Sequence, residues 1–165
     1  MSVKATARTT GWLGGVLLLC LLLWAAWPSA PHHGLFPPDR DGDLIRDDVG
    51  QMIAVRFAAN PAANAATRQL ARAWQLAALR DAADWPRSQR QVRQAIACML
   101  GDAVLGRAHL SAESMYHFMQ QLHAAMFDSP ARLARWRQFE AASAGMPHED
   151  LPLNPCVFDP AALAG

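Results

Sequence analysis

Residues 62–84 read AANAATRQLARAWQLAALRDAAD, and this stretch decides the fold. Leu70, Trp74 and Ala77 recur at helical spacing along one side of it, with no glycine or proline to interrupt. Alanine has the best intrinsic helix propensity and lets neighbouring helices approach closely. The reading is one long helix from about Ala62 to Asp84, broken by Trp85–Pro86. Upstream, Val49, Met52, Ile53 and Phe57 form a shorter apolar stripe that Asn60–Pro61 ends. Downstream, a third helix is expected from Arg90 to about Leu105, with Val92, Ile96, Met99 and Ala103 on one face and Gly106 as its stop. Ser111 starts a fourth, carrying Met115, Met119, Leu122 and Met126 as a core stripe. Ser129–Pro130 starts a fifth, with Leu133, Trp136 and Phe139, ended by Gly145. Strand alternation, a fixed repeat and a sustained heptad are all absent from the pattern. The predicted class is therefore all-α: a small bundle of about five helices over residues 49–145, followed by an extended tail over residues 146–165.

Outward from the bundle, the composition divides in two. The chain has 165 residues, 52% hydrophobic and 18% charged, with a formal net charge of +1. That balance argues against a disordered tail and against a strongly basic nucleic-acid module. Much of the apolar excess lies in residues 12–27, WLGGVLLLCLLLWAAW, preceded by Lys4 and Arg8 and no acid. A basic start followed by an apolar run is the layout of an export signal. Sixteen residues rise about 24 Å as a helix, slightly short of the ~30 Å hydrocarbon core, so a cleaved signal peptide and a retained anchor over residues 1–30 both stand. Small residues do not occupy the cleavage positions well, and Trp12, Trp24 and Trp27 suit an interfacial anchor. Cys20 follows Leu19, where a lipoprotein signal needs a small residue, so lipidation is not expected. Without residues 1–30 the chain carries 13 Arg, no Lys and 14 acids, a net −1. Residues 31–48 read as a proline-rich linker, with His32 and His33 solvated in it, running into an acidic loop.

That loop, DRDGDLIRDD at residues 39–48, holds five of the 14 acids. Asp39, Asp41 and Asp43 alternate strictly, and carboxylates so spaced repel one another unless a cation or a helix terminus compensates them. Calcium is a hard ion that takes six to eight oxygens from a tightly turned loop. With Asp39 as the first position, Asp41 and Asp43 are the third and fifth, the Ile45 carbonyl the seventh and Asp47 the ninth. The loop resembles the DxDGDGIxDD calcium loops of dockerin modules and thrombospondin type 3 repeats. With IRDDV at Ile45–Val49, AIAC at Ala95–Cys98 and PCVFD at Pro155–Asp159, the chain is more similar still to a group of uncharacterised exported bacterial helical proteins that open with one such loop. The resemblance implies a calcium loop leading into Ala-rich helices, and no activity. Two departures weaken the loop. Leu44 stands where glycine normally supplies a positive φ, and would resist it; Gly50 stands where a bidentate acid normally closes the shell. A weak site of four carboxylates and one carbonyl is expected, against a plainer reading in which Asp47 and Asp48 cap the next helix and the rest are solvated.

Of the three cysteines, Cys98 and Cys156 lie outside the targeting segment. In an oxidising compartment two such thiols most simply pair. By helical rotation Cys98 points away from the Val92–Ile96–Met99 face, so the tail would meet it on the bundle's flank. Catalytic signatures are sparse: HExxH, GxSxG, phosphate loops and CxxC do not occur. Glu113 and His117 stand four residues apart and offer an acid–base or metal pair, although a surface pair is the ordinary explanation. Arg68, Arg72, Arg80, Arg87, Arg90 and Arg93 are scattered around two helices and read as solvated faces, with no nucleic-acid partner. The whole reads as an exported or inner-membrane-anchored helical protein of the bacterial envelope, N-in and facing the periplasm. Its expected role is binding or structural, toward an envelope protein; an enzyme using Glu113 and His117 is the alternative.

Overall fold

The alanine periodicity of residues 62–84 becomes the centre of the bundle. The computed structural model describes residues 38–147 and 149–163. All belong to the unit Gly34–Gly165, whereas the unit Met1–His33, and with it the targeting segment at residues 12–27, lies outside the described residues. Six α-helices are present among them and no strand: α1 Asp47–Arg56, α2 Pro61–Leu79, α3 Trp85–Met99, α4 Asp102–Ala108, α5 Ala112–Met126 and α6 Pro130–Ser143. None is long and apolar enough to cross a membrane. The all-α architecture is thus as the sequence implies, with six helices in place of about five.

Helix α2 touches all five of the others, most extensively α3. Its alanines make this geometrically feasible, because Ala63, Ala66, Ala71 and Ala77 are fully buried and add little bulk between helix axes. The one small polar residue in that zone, Thr67, donates its hydroxyl to the Ala63 carbonyl at 2.7 Å, so its burial leaves no donor unmet. Around α2 the core collects Ile45, Val49 and Ile53 from the α1 region, Met99 and Val104 from α3 and α4, and Met115 and Leu122 from α5. Met115 and Met126 of the expected methionine stripe are core; Met119 is only partly buried.

Three boundaries differ from expectation. The long helix stops at Leu79, not Asp84. Arg80 is extended (ψ 154°), and a 3₁₀ turn at Ala82–Asp84 follows. The cause is tertiary: the Arg135 guanidinium of α6 donates to the carbonyls of Ala78 (3.1 Å) and Arg80 (2.6 Å), satisfying the open end of α2. Trp85–Pro86 accordingly opens α3, where proline's missing N–H costs nothing in the first turn. The expected third helix is two helices, because the chain turns at Leu100–Gly101 and Gly101 is extended (ψ 145°). A Cβ there would sit 3.0 Å from the Ala97 carbonyl oxygen, so glycine suits this corner. Gly106, expected as a stop, lies inside α4, which ends at His109 in a left-handed conformation (φ 50°) with Leu110 N–H donating to the Leu105 carbonyl. Consequently Val104 is buried and Ala103 exposed.

Ser111 and Ser129 act as read. Each hydroxyl accepts a backbone N–H three residues on, from Ser114 and Arg132 respectively. The tail also differs in one detail, since Pro160–Ala162 forms a 3₁₀ turn that Asp159 caps within the otherwise irregular segment. It is tied to the bundle at Cys156, which is disulfide-bonded to Cys98. Cys98 is buried in the core and not on a flank: the inward face of α3 is Val92, Ala95, Cys98 and Met99, with Ile96 only partly covered.

Candidate metal centre

The acidic loop folds around the first of its aspartates. Asp39 Oδ1 accepts the Asp43 N–H at 3.1 Å and Asp39 Oδ2 accepts the Leu44 N–H at 3.0 Å. Asp41 Oδ1 also receives the Asp43 N–H, at 3.3 Å, and Asp43 Oδ1 the Ile45 N–H, at 2.8 Å. These bonds curl the chain so that Asp39, Asp41 and Asp43 each bring a carboxylate oxygen within 4.8 Å of the others. A group of this kind can hold a metal ion, since each oxygen retains a further lone pair after one N–H bond.

Two residues take positive φ in the curl: Gly42 (71°) and Leu44 (65°). Leucine's predicted resistance is overruled. A left-handed non-glycine residue costs roughly 1–2 kcal/mol. The neighbours supply that cost: Asp39 holds the Leu44 amide, and Ile45, 1% exposed, anchors the next residue in the core. Leu44 itself is exposed in part, at 44%.

Asp47 is not gathered with the other three carboxylates. Its Oδ1 accepts the Arg40 N–H at 2.9 Å and its Oδ2 faces the Arg40 guanidinium at 3.5 Å. Nor do Asp47 and Asp48 cap α1, whose N-cap position is Arg46 with no side-chain cap; both instead sit in the first turn, where their charge favours the helix dipole.

Arginines secure the loop, and this part of the arrangement was not legible from spacing. Arg68 of α2 pairs with Asp43 Oδ2 at 2.7 Å, and Arg72 Nε donates to the Asp43 carbonyl at 2.8 Å. The expectation that these arginines are solvated faces is thereby corrected. Arg80 is likewise bonded, to Gln91, and Arg93, partly covered, donates to the Glu149 carbonyl; Arg87 and Arg90, the latter paired with Glu149, are exposed as expected. Arg46 is buried at 6% exposure, where it holds Asp48 and Asp128 and donates to the Ala125 carbonyl at 2.7 Å. It therefore fastens the loop to the α5–α6 junction. Burial pushes the Asp48 carboxyl upward, but the Arg46 hydrogen bond and charge outweigh it and hold the group below its ordinary value. Arg46, disfavoured by burial but bonded to both carboxylates, is held more firmly protonated.

Glu113 and His117 are both exposed, and His117 faces Gln121 at 3.5 Å. The histidine that meets other functional groups is His123. It lies half-buried among Trp74, Phe127 and Trp136, with ring centroids 4.8–5.5 Å away. Burial lowers its pKa, and the Glu140 charge opposes this only in part. The unfolded chain then binds a proton near pH 6.5 that the folded chain resists, so stability contributed by neutral His123 is present above about pH 6.5 and lost as pH falls below it. Urea midpoints should drop between pH 7 and pH 5, and His123→Phe should flatten that drop. An unchanged slope in the variant would contradict the assignment.

Compared with known proteins, the chain matches no family model, no curated protein and no solved structure.

Proposed function

We propose that this chain is a helical binding module of the bacterial cell envelope, exported or held at the inner membrane through residues 12–27, whose acidic loop takes one calcium ion weakly. The observation that carries the reading is the convergence of Asp39, Asp41 and Asp43 on a loop with positive φ at its fourth and sixth positions. The Ile45 carbonyl and water complete the shell; Asp47 joins only on release from Arg40. The weakness follows from Arg68, which already neutralises part of the Asp43 charge and must share it with the ion. The Cys98–Cys156 bond suits an oxidising compartment outside the cytoplasm. A net −1 over residues 31–165 suits a protein partner better than nucleic acid.

Calcium titration of the full chain in dodecyl maltoside, followed by calorimetry and melting temperature, tests the loop. One site with a Kd on the order of 10⁻⁴–10⁻³ M is expected, the range of extracellular modules. Asp41→Ala should abolish the response, and Leu44→Gly, which relaxes the left-handed strain, should keep it. No heat and no melting shift at about 5 mM calcium, ten times the middle of that range, would sink the proposal.

A further inference from the structure

Away from the acidic loop, α2, α3, α5 and α6 leave a cleft of about 520 Å³ between them. That volume is within the ordinary range for a small-molecule site. Its inner wall is aromatic: Trp74, His123 and Trp136 lie with centroids 5.4–5.9 Å apart and planes crossing at 89°, 68° and 72°. Three rings so nearly perpendicular make a corner. Ile96 and Met119, partly buried, supply an aliphatic side. At the opening stand Tyr116, about half exposed, and the exposed carboxylate of Glu140.

The charge at this opening selects the ligand. Among the described residues lining the cleft, Glu140 is the sole acid and none is lysine or arginine. Arg93 keeps its charge but lines the adjoining hollow and not the cleft, its guanidinium held by the Glu149 carbonyl. His123, disfavoured by burial from taking a proton, adds little positive charge at neutral pH. Aromatic faces present negative potential, so rings and carboxylate together attract a cation and repel an anion. We propose that the cleft binds a small organic ammonium ion, its apolar or aryl body against Ile96, Met119 and the Trp74–Trp136 corner, and its cationic head between Tyr116 and Glu140. The site is independent of the acidic loop and does not require calcium.

Benzyltrimethylammonium is a suitable probe, and phenylmethanesulfonate an anionic counterpart with the same benzyl body and a tetrahedral head. The full chain in dodecyl maltoside, which carries no charge, would be titrated with each by calorimetry and by the indole N–H resonances of uniformly ¹⁵N-labelled protein. The cation is expected to bind one to one, moving the Trp74 and Trp136 indole signals, and the sulfonate to bind at least about tenfold more weakly. Glu140→Gln and Tyr116→Ala alter exposed side chains, and each should weaken the cation by about fivefold or more. Equal binding of both probes, no cation binding up to about 10 mM, or unchanged binding in Glu140→Gln would overturn the proposal. So would binding that leaves both indole signals in place.

Discussion

Replacing both Cys98 and Cys156 by alanine is expected to lower unfolding stability by about 4 kcal/mol, equivalent to a fall of about 15 °C in melting temperature. The bridge joins cysteines 58 positions apart, and on the chain-entropy account the open form regains the freedom that closure removed from the unfolded ensemble. The native state loses less. The Gln69 side chain donates to the Pro155 carbonyl at 3.0 Å and accepts the Val157 N–H at 3.0 Å, clamping the tail on both sides of Cys156. The bundle should therefore keep its helical circular dichroism after reduction while its melting point drops. Gln69→Ala in the oxidised protein should cost only about 1–2 kcal/mol, because the bridge still holds the tail near and the freed groups reach water. Mass spectrometry with and without reductant checks the premise: two freely alkylated thiols in native protein would refute the bridge. A fall below about 1 kcal/mol in the double variant would show that the tail contributes little to the fold.

Trp136→Ala is expected to cost about 3–5 kcal/mol, because the indole is the hub of the aromatic cluster joining α6 to α2 and α5. It stacks on Phe127 at 4.7 Å, meets Phe139 at 5.1 Å, and packs against Trp74 and His123. At 5% exposure, truncation would leave a void among rings too rigid to collapse into it. Trp136→Phe distinguishes packing from hydrogen bonding. The indole N–H has no partner among the described residues, so phenylalanine removes an unsatisfied donor and most of the ring contact remains. A loss of no more than about 1.5 kcal/mol is expected there by urea denaturation. Equal losses for alanine and phenylalanine would mean that a phenyl ring cannot hold the cluster and that the full indole is required.

The loop and the bundle differ in how far the sequence foretold them. Asp39, Asp41 and Asp43 converge because alternation puts each carboxylate within reach of backbone N–H groups a few residues on, which is a local matter. Leu44 misled because a residue's intrinsic φ preference is weaker than the joint hold of the Asp39 bonds and the buried Ile45. Arg68, Arg72 and Arg46 were illegible in their roles, since a guanidinium reaches partners as far as 82 residues away in the chain. His123 stands six residues from His117, on another side of the same helix, so spacing gives it no partner; Trp74 of α2, Trp136 of α6 and Phe127 just past the end of α5 meet it in the fold.

By itself the sequence determined the all-helical class, the apolar stripes of α1, α2 and α5, the serine caps at Ser111 and Ser129, the pairing of Cys98 with Cys156, and the acidic triad. Each of these rests on interactions within a turn or two of helix, or on having two cysteines to join outside residues 1–30. Only the tertiary structure decided that α2 ends at Leu79 under Arg135, that Cys98 is core, that Arg46 is buried, and that Trp74, His123 and Trp136 meet at a corner beside Glu140. Those outcomes depend on which residues of other helices arrive at the same place, and periodicity along a single helix carries no information about its neighbours.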